Sequence, residues 1–236
     1  MAVSGSARAG SGCALSVKYK FLYIHVLKSG GMTIKAFLKN ALCGTTAKPC
    51  PMGDDVLEIV DCAAAVLLHA DYFVFSFVRN PFSRLYSGYS MADSMRSKGM
   101  MTRPEFTFSD FVMASTVERR RMSMTSPSHY LPQASFLFDK ESHCPVVDFI
   151  GRLERFDEDL QIVLSKIASP ELQAYYDAKH GDTLHESNTA YGKRKQEKDL
   201  GGSLLNAFST PELVEAAAKE FEEDFRLLGY DPTVVP

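Results

Sequence analysis

The sequence has no excess of charge of either sign: Lys and Arg number 26 against 29 Asp and Glu, a formal net charge of −3. Such a chain is no general binder of nucleic acid or of an anionic membrane surface, so any basic site must be local. Cysteine is scarce. Cys13, Cys43, Cys50, Cys62 and Cys144 make an odd count with no CxxC pair. That pattern predicts neither a disulfide framework nor a zinc site, and a reducing compartment is the simpler expectation. No apolar run approaches the roughly 18 residues of a membrane span. The opening MAVSGSARAGSGCALSVKYK contains no apolar stretch of the kind a secretory signal needs. Internal repeats are also missing. What is there is an ordinary globular balance, 45% apolar and 23% charged residues, which excludes a disordered tail, a collagen-like rod or a coiled coil as the main body.

The 236 residues allow one large domain or two small ones with a substantial core. Residues 1–17, rich in Gly, Ser and Ala, read as a flexible leader, and 18–236 as a single domain. Two short runs, YKFLYIHV at Tyr19–Val26 and YFVFSFV at Tyr72–Val78, are nearly continuous in apolar character, as strands buried on both faces are. Val146–Ile150 is a third strand candidate. A helix is expected from near Met32 to Cys43-Gly44. Another opens at Pro81, with Phe82, Leu85, Tyr86 and Tyr89 on one face. Residues 92–104 read as a loop, 155–168 and 170–180 as helices, and 181–203 as a long exposed loop of the kind that forms lids. A last helix starts at Thr210-Pro211 and ends at Gly229. Strand–helix alternation of this sort predicts an α/β fold with a largely parallel central sheet.

The stretch IHVLKSGGMTIK, Ile24–Lys35, is the most informative. A Gly-rich turn between a strand and a helix presents backbone N–H groups to an anion, and the helix N-terminus adds partial positive charge. Gly30 and Gly31 permit close approach, Ser29 and Thr33 add hydroxyls, and Lys28 adds a full charge. The lysine precedes the glycines, so this is not the GxxxxGKS/T loop of Mg²⁺-dependent nucleotide hydrolysis. In FSFVRNPFSRLYSGY, Phe75–Tyr89, Arg79 ends a strand, where α/β sheets bind ligands, and Ser87 lies on the following helix. A guanidinium there can fork onto a phosphate.

Taken together, the Lys-Ser-Gly-Gly loop and the later VRNPxxRLxSxY resemble the sulfotransferases that use 3′-phosphoadenosine-5′-phosphosulfate (PAPS), and most closely the carbohydrate sulfotransferase superfamily. HYLPQ at His129–Gln133, VDFIGRLERFDEDL at Val147–Leu160, HESNT at His185–Thr189 and the closing EFEEDFRLLGYD resemble further elements of that family, in the same order. The resemblance spans about residues 19–231. It implies a P-loop-like parallel sheet flanked by helices. It also implies that Lys28, Ser29, Gly30, Gly31, Met32 and Thr33 hold the 5′-phosphosulfate and that Arg79 and Ser87 hold the 3′-phosphate. Lys193 and Arg194, in the basic run of the late loop, would close over the 3′-phosphate or form a solvated face. Leu27 stands where the family usually has Pro, and Met32 where it has Thr or Ser.

The implied function is transfer of a sulfuryl group to a hydroxyl of a carbohydrate or a small hydroxylated metabolite, with PAPS as co-substrate and no metal. Lys28 is the expected catalytic cation, and His69 or His129 the base. His25 reads as structural, and the Arg119-Arg120-Arg121 triplet either attracts an anionic acceptor or is surface charge. The acceptor pocket is expected between the His69 and His129 regions and residues 91–127. No nucleic-acid partner or membrane span is expected. The chain as it stands reads as cytoplasmic, or as lumenal to the Golgi if it is a truncated or anchor-less relative of the family. The rival readings are an ATP-dependent small-molecule kinase and a non-catalytic nucleotide-binding protein of the same fold.

Overall fold

A computed structural model describes residues 12–44, 56–62, 65–66, 71–99, 105–123, 129–179 and 204–236. The described residues fall into two compact units, one drawn from 12–78 and 135–179, the other from 79–134 and 204–236.

In the first unit the aromatic runs are indeed strands. β1 (Cys13–Ser16), β2 (Phe21–Ile24), β3 (Glu58–Val60), β4 (Phe73–Val78) and β5 (Phe149–Arg152) form one sheet in the order β3-β1-β2-β4-β5. β2, β4 and β5 run parallel, with Phe21 opposite Phe73 and Phe75 opposite Phe149. β1 is antiparallel to both its neighbours. Phe21 and Tyr23 of β2 and Phe75 and Phe77 of β4 share one sheet face by the strand period of two. They build a core with Ile34, Phe37 and Leu38 of α1 (Gly31–Cys43), and with Phe156, Leu160 and Val163 further along the chain. The latter three lie on α6 (Phe156–Ile167), which a single turn (Leu153–Arg155) joins to β5. α7 (Pro170–Lys179) adds Leu172 and Tyr176 to the same core. The result is an α/β architecture with a parallel sheet centre flanked by helices.

The second unit is helical. It contains α2 (Pro81–Ser97), α3 (Phe108–Met113), α4 (Thr116–Ser123), α8 (Pro211–Glu220) and α9 (Glu222–Leu228). The short α5 (Ala134–Leu137) leads from this unit back into the first. Its core joins Phe82 and Leu85 of α2 to Phe111, Phe208, Phe221 and Phe225, with Phe82 5.0 Å from the rings of both Phe208 and Phe225.

Several expectations need correction. Residues 13–16 are not part of a leader: all four are buried in β1, and Cys13 is bonded to Cys62. Cys43 is disulfide-bonded as well, and Cys144 is free, so the chain carries bridges that the cysteine spacing did not point to. Spacing concealed the pair because the sheet brings it together: β1 and β3 pair Cys13 with Val60, which leaves Cys62 just beyond the ladder and 5.1 Å away between Cα atoms. α2 runs on to Ser97 where a loop was expected from residue 92. Its polar end is held by Arg96, which donates to Asp93 at 2.8 Å and to Glu105 at 3.0 Å. The third strand starts later than Val146, because Asp148 exchanges hydrogen bonds with Val74 of β4 and sets the register from Phe149 onward. The terminal helix breaks at Phe221 into α8 and α9. The late loop 181–203 lies outside the described residues.

Candidate functional site

The turn between β2 and α1 belongs wholly to the first unit. His25, Val26, Leu27 and Ser29 are buried, and Lys28 is half-buried. Lys28 and Gly30 both adopt left-handed backbone conformations, φ 69° and 78°, on either side of Ser29. A left-handed φ is natural for glycine and costly for lysine, so the conformation of Lys28 is strain held by its surroundings. Alternating hands over successive residues turn backbone N–H groups to one side, a concavity that suits an anion. Gly30 caps α1 without any side-chain hydrogen bond, and the first turn of α1 carries no acidic residue. Helix dipole and turn geometry therefore favour negative charge at the same place.

Three neighbours fix this turn. Ser76 Oγ of β4 donates to the Ile24 carbonyl at 2.8 Å, tying the end of β2 to the adjacent strand. Leu153 lies against Gly30, where an added Cβ would meet its Cδ1 at 2.7 Å. The chain on either side of Leu153 is tied to Asp159, a buried carboxylate that accepts from the Arg152 backbone N–H at 2.6 Å and pairs with Arg155 at 3.4 Å. The GRLERFDED segment is thus a backing for the turn, a role that its sequence did not disclose. His25 is the third support. Its imidazole stacks on Tyr23 and occupies the space next to Gly31. The reading of His25 as a structural residue accords with that packing. Thr33 is half-buried, whereas Met32 is 62% exposed at the start of α1.

In the second unit, Arg79 follows directly on β4 and precedes the cap of α2. Asn80 accepts from the Phe82 and Ser83 backbone N–H groups at 2.9 and 3.4 Å, and Pro81 fills the first helical position. The Arg-Asn-Pro sequence is therefore a strand end joined to a self-capped helix. Arg79 donates its backbone N–H to Gln133 Oε1 at 2.9 Å and accepts from Gln133 Nε2 at 2.7 Å. Gln133 and Ala134 donate their backbone N–H groups to the buried Asp224 carboxylate at 2.9 and 2.7 Å. Burial raises the Asp224 carboxyl above its ordinary value, against the pull of Arg84 and of these amides. Burial likewise draws the Arg84 guanidinium down to about 10, so it stays charged at neutral pH.

Arg84 is buried and donates to the His129 carbonyl at 3.4 Å. It is a core residue of its unit rather than a surface cation. Ser87 is buried on α2. His129 is half-buried, its ring tilted against Tyr130 at 6.0 Å between centroids. Gln133 and Asp224, which sequence reading placed only inside recurring segments, are the groups that hold Arg79. Arg119 does not offer itself to an acceptor: it is fully buried, donates to the Phe111 and Val112 carbonyls and pairs with Glu220. Arg120 and Arg121 are exposed. His69, Lys193 and Arg194 lie outside the described residues.

Among the described residues no helix is long and apolar enough to cross a membrane. The profile of the family described as "Sulfotransferase family" matches residues 13–231, which takes in every element of both units. No curated protein and no solved structure matches the chain.

Proposed function

The chain belongs to the sulfotransferase family, and on that premise we propose that it moves the sulfuryl group of PAPS to a hydroxyl of a carbohydrate or a small hydroxylated metabolite. The observation that carries this reading is the β2–α1 turn, where two left-handed residues, one of them Lys28, precede a helix whose first turn has neither a capping side chain nor an acid. Residues 28–33 are the proposed holders of the 5′-phosphosulfate, and Arg79 and Ser87 of the 3′-phosphate.

In the proposed step the acceptor oxygen attacks sulfur and the bond from sulfur to the bridging phosphate oxygen breaks. Adenosine 3′,5′-bisphosphate leaves with the electron pair of that bond. The Lys28 ammonium neutralises the charge that gathers on the leaving oxygen, which is the largest contribution to be expected where positioning and electrostatics dominate. The acceptor proton goes to a histidine, His129 or His69, whose ordinary pKa suits exchange near neutrality. The Cys13–Cys62 bond favours an oxidising compartment for the folded chain, in place of the reducing one read from the sequence.

The test is transfer of labelled sulfate from PAPS to a panel of hydroxylated acceptors, with Lys28→Ala beside the wild type. Loss of about 10²-fold or more in rate is expected for the variant. Equal incorporation by both proteins would overturn the catalytic role of Lys28. Binding of ATP with Mg²⁺, rather than of adenosine 3′,5′-bisphosphate without it, would favour the kinase reading instead.

A further inference from the structure

We infer that Gln133 and Asp224 are positioning residues for Arg79, forming a buried relay that sets discrimination in favour of a ligand's 3′-phosphate. The inference rests on Arg79 being the 3′-phosphate ligand proposed above, and it concerns residues to which nothing in the sequence assigned a role.

The geometry is specific to an amide. Gln133 Oε1 accepts the Arg79 N–H while Gln133 Nε2 donates to the Arg79 carbonyl, so one side chain holds both polar groups of one residue. Glu offers no donor for the carbonyl, and Met or Leu offers neither partner. The next residue is fixed independently, because Asn80 spends its side chain on capping α2. The backbone at Arg79 is thus constrained from both sides. That is preorganisation in the usual sense: ordering done during folding need not be done on binding.

The clamp has its own anchor. Gln133 is fully buried, its backbone N–H reaches Asp224 Oδ2 at 2.9 Å, and its Nε2 lies 3.4 Å from the same oxygen. Asp224 Oδ1 takes the Ala134 N–H at 2.7 Å. A buried carboxylate is expensive unless its lone pairs are satisfied and its charge is offset. Asp224 meets both conditions through these amides and through Arg84, which carries the opposing charge. A packing role alone would be served as well by an apolar side chain. The polar arrangement fixes the orientation of one amide, and that amide fixes Arg79.

The relay is tested by titration calorimetry of the whole chain with two nucleotides, adenosine 3′,5′-bisphosphate and adenosine 5′-monophosphate. The proteins are the wild type, Arg79→Ala, Gln133→Met and Asp224→Asn, each checked for folding by circular dichroism. Gln133→Met is expected to weaken the bisphosphate by about tenfold or more while the monophosphate stays within about twofold. Asp224→Asn keeps one acceptor and should fall between Gln133→Met and the wild type. If Gln133→Met does not fold, Gln133→Asn and Asp224→Asn carry the same comparison, since both retain polar side chains. Equal weakening of both nucleotides would reveal a merely structural role and overturn the inference. So would wild-type discrimination in the Gln133 and Asp224 variants while Arg79→Ala loses it, and in that case the assignment of Arg79 survives. Wild-type discrimination in Arg79→Ala would overturn the assignment of Arg79 itself, and the relay with it.

Discussion

The imidazole of His25 takes the place that a side chain at residue 31 would need: a Cβ on Gly31 would stand 1.9 Å from both Cδ2 and Nε2 of His25. The second glycine of the turn is therefore required by packing, whereas Gly30 is required by its left-handed φ and by Leu153. Gly31→Ala should force His25 or the start of α1 to move, at about 1–3 kcal/mol. His25→Ala removes the obstacle, so the double variant should recover part of the loss. A double-mutant cycle on thermal unfolding reads this directly. Additive effects of the two changes would mean that the pair does not interact.

Much of this arrangement was legible in the residues. The strands at 21–24 and 73–78 could be read because they are buried on both faces and carry aromatic and β-branched side chains with little interruption. The turn could be read because Lys28, Gly30 and Gly31 sit between a strand pattern and a helix pattern. Relations between distant segments were not legible. Nothing local in CALS marks it as a strand, since β1 owes its place to ladders with β2 and β3 and to the bond with Cys62. Arg119 looked like surface charge because it stands in an arginine triplet, and only the fold supplies Glu220. The clamp on Arg79 joins residues from three separated segments, each with an ordinary amide or carboxylate that has no meaning alone.

Met32→Thr tests the proposed phosphosulfate loop directly. Met32 is 62% exposed at the beginning of α1, where the family's loop usually carries a hydroxyl. Met32→Thr should cost little in stability at so open a position. The added hydroxyl is expected to contribute about 1 kcal/mol to a bound phosphate, or about fivefold in affinity for adenosine 3′,5′-bisphosphate. Calorimetry on the two proteins checks it, and an unchanged dissociation constant would mean that position 32 does not face the nucleotide.

The Cys13–Cys62 bond closes a loop with a sequence separation of 49 between β1 and the end of β3. In the chain-entropy account a closure of that length stabilises by about 4 kcal/mol, with measured values for disulfides more often about 2–4. Cys13→Ala with Cys62→Ala should therefore lower the urea midpoint substantially. Dithiothreitol should destabilise the wild type and leave that double variant less affected. Equal sensitivity of the two proteins to the reductant would place the effect at another cysteine.

Arg119 is a fully buried cation set among backbone carbonyls and a carboxylate. Its guanidinium serves the Phe111 and Val112 carbonyls of α3 and the Glu220 carboxylate of α8, and its Cζ lies 5.7 Å from the centroid of the Phe111 ring. Arg119→Ala takes the guanidinium donor from two carbonyls and from Glu220, whose Oε1 keeps the Thr116 hydroxyl at 3.2 Å. Breaking a fully buried pair costs about 3–5 kcal/mol, and Glu220, at 26% side-chain exposure, brings the expected loss toward the lower end. Glu220→Gln keeps an acceptor and should cost less than Arg119→Ala. Chemical denaturation of the two variants ranks them, and the reverse order would mean that the charge of Glu220 matters more than the donors of Arg119.

Acid sensitivity follows from the capping box of α3. Asp110 accepts from the Thr107 backbone N–H and hydroxyl, both at 2.7 Å, while Thr107 Oγ1 accepts the Asp110 N–H at 3.1 Å. These donors hold the Asp110 carboxyl below its ordinary 3.8. A carboxylate with a depressed folded pKa binds its proton less readily in the native state than in the unfolded one, so its contribution is complete above 3.8. The contribution is lost as the pH falls through the lower folded value. Asp110→Asn removes the titrating group, so the stability gap between wild type and variant should be widest near neutrality and should close on acidification. Urea midpoints of both proteins at about pH 7 and about pH 3 measure that gap, and a gap that stays constant between them would show that the charge on Asp110 contributes nothing to the cap.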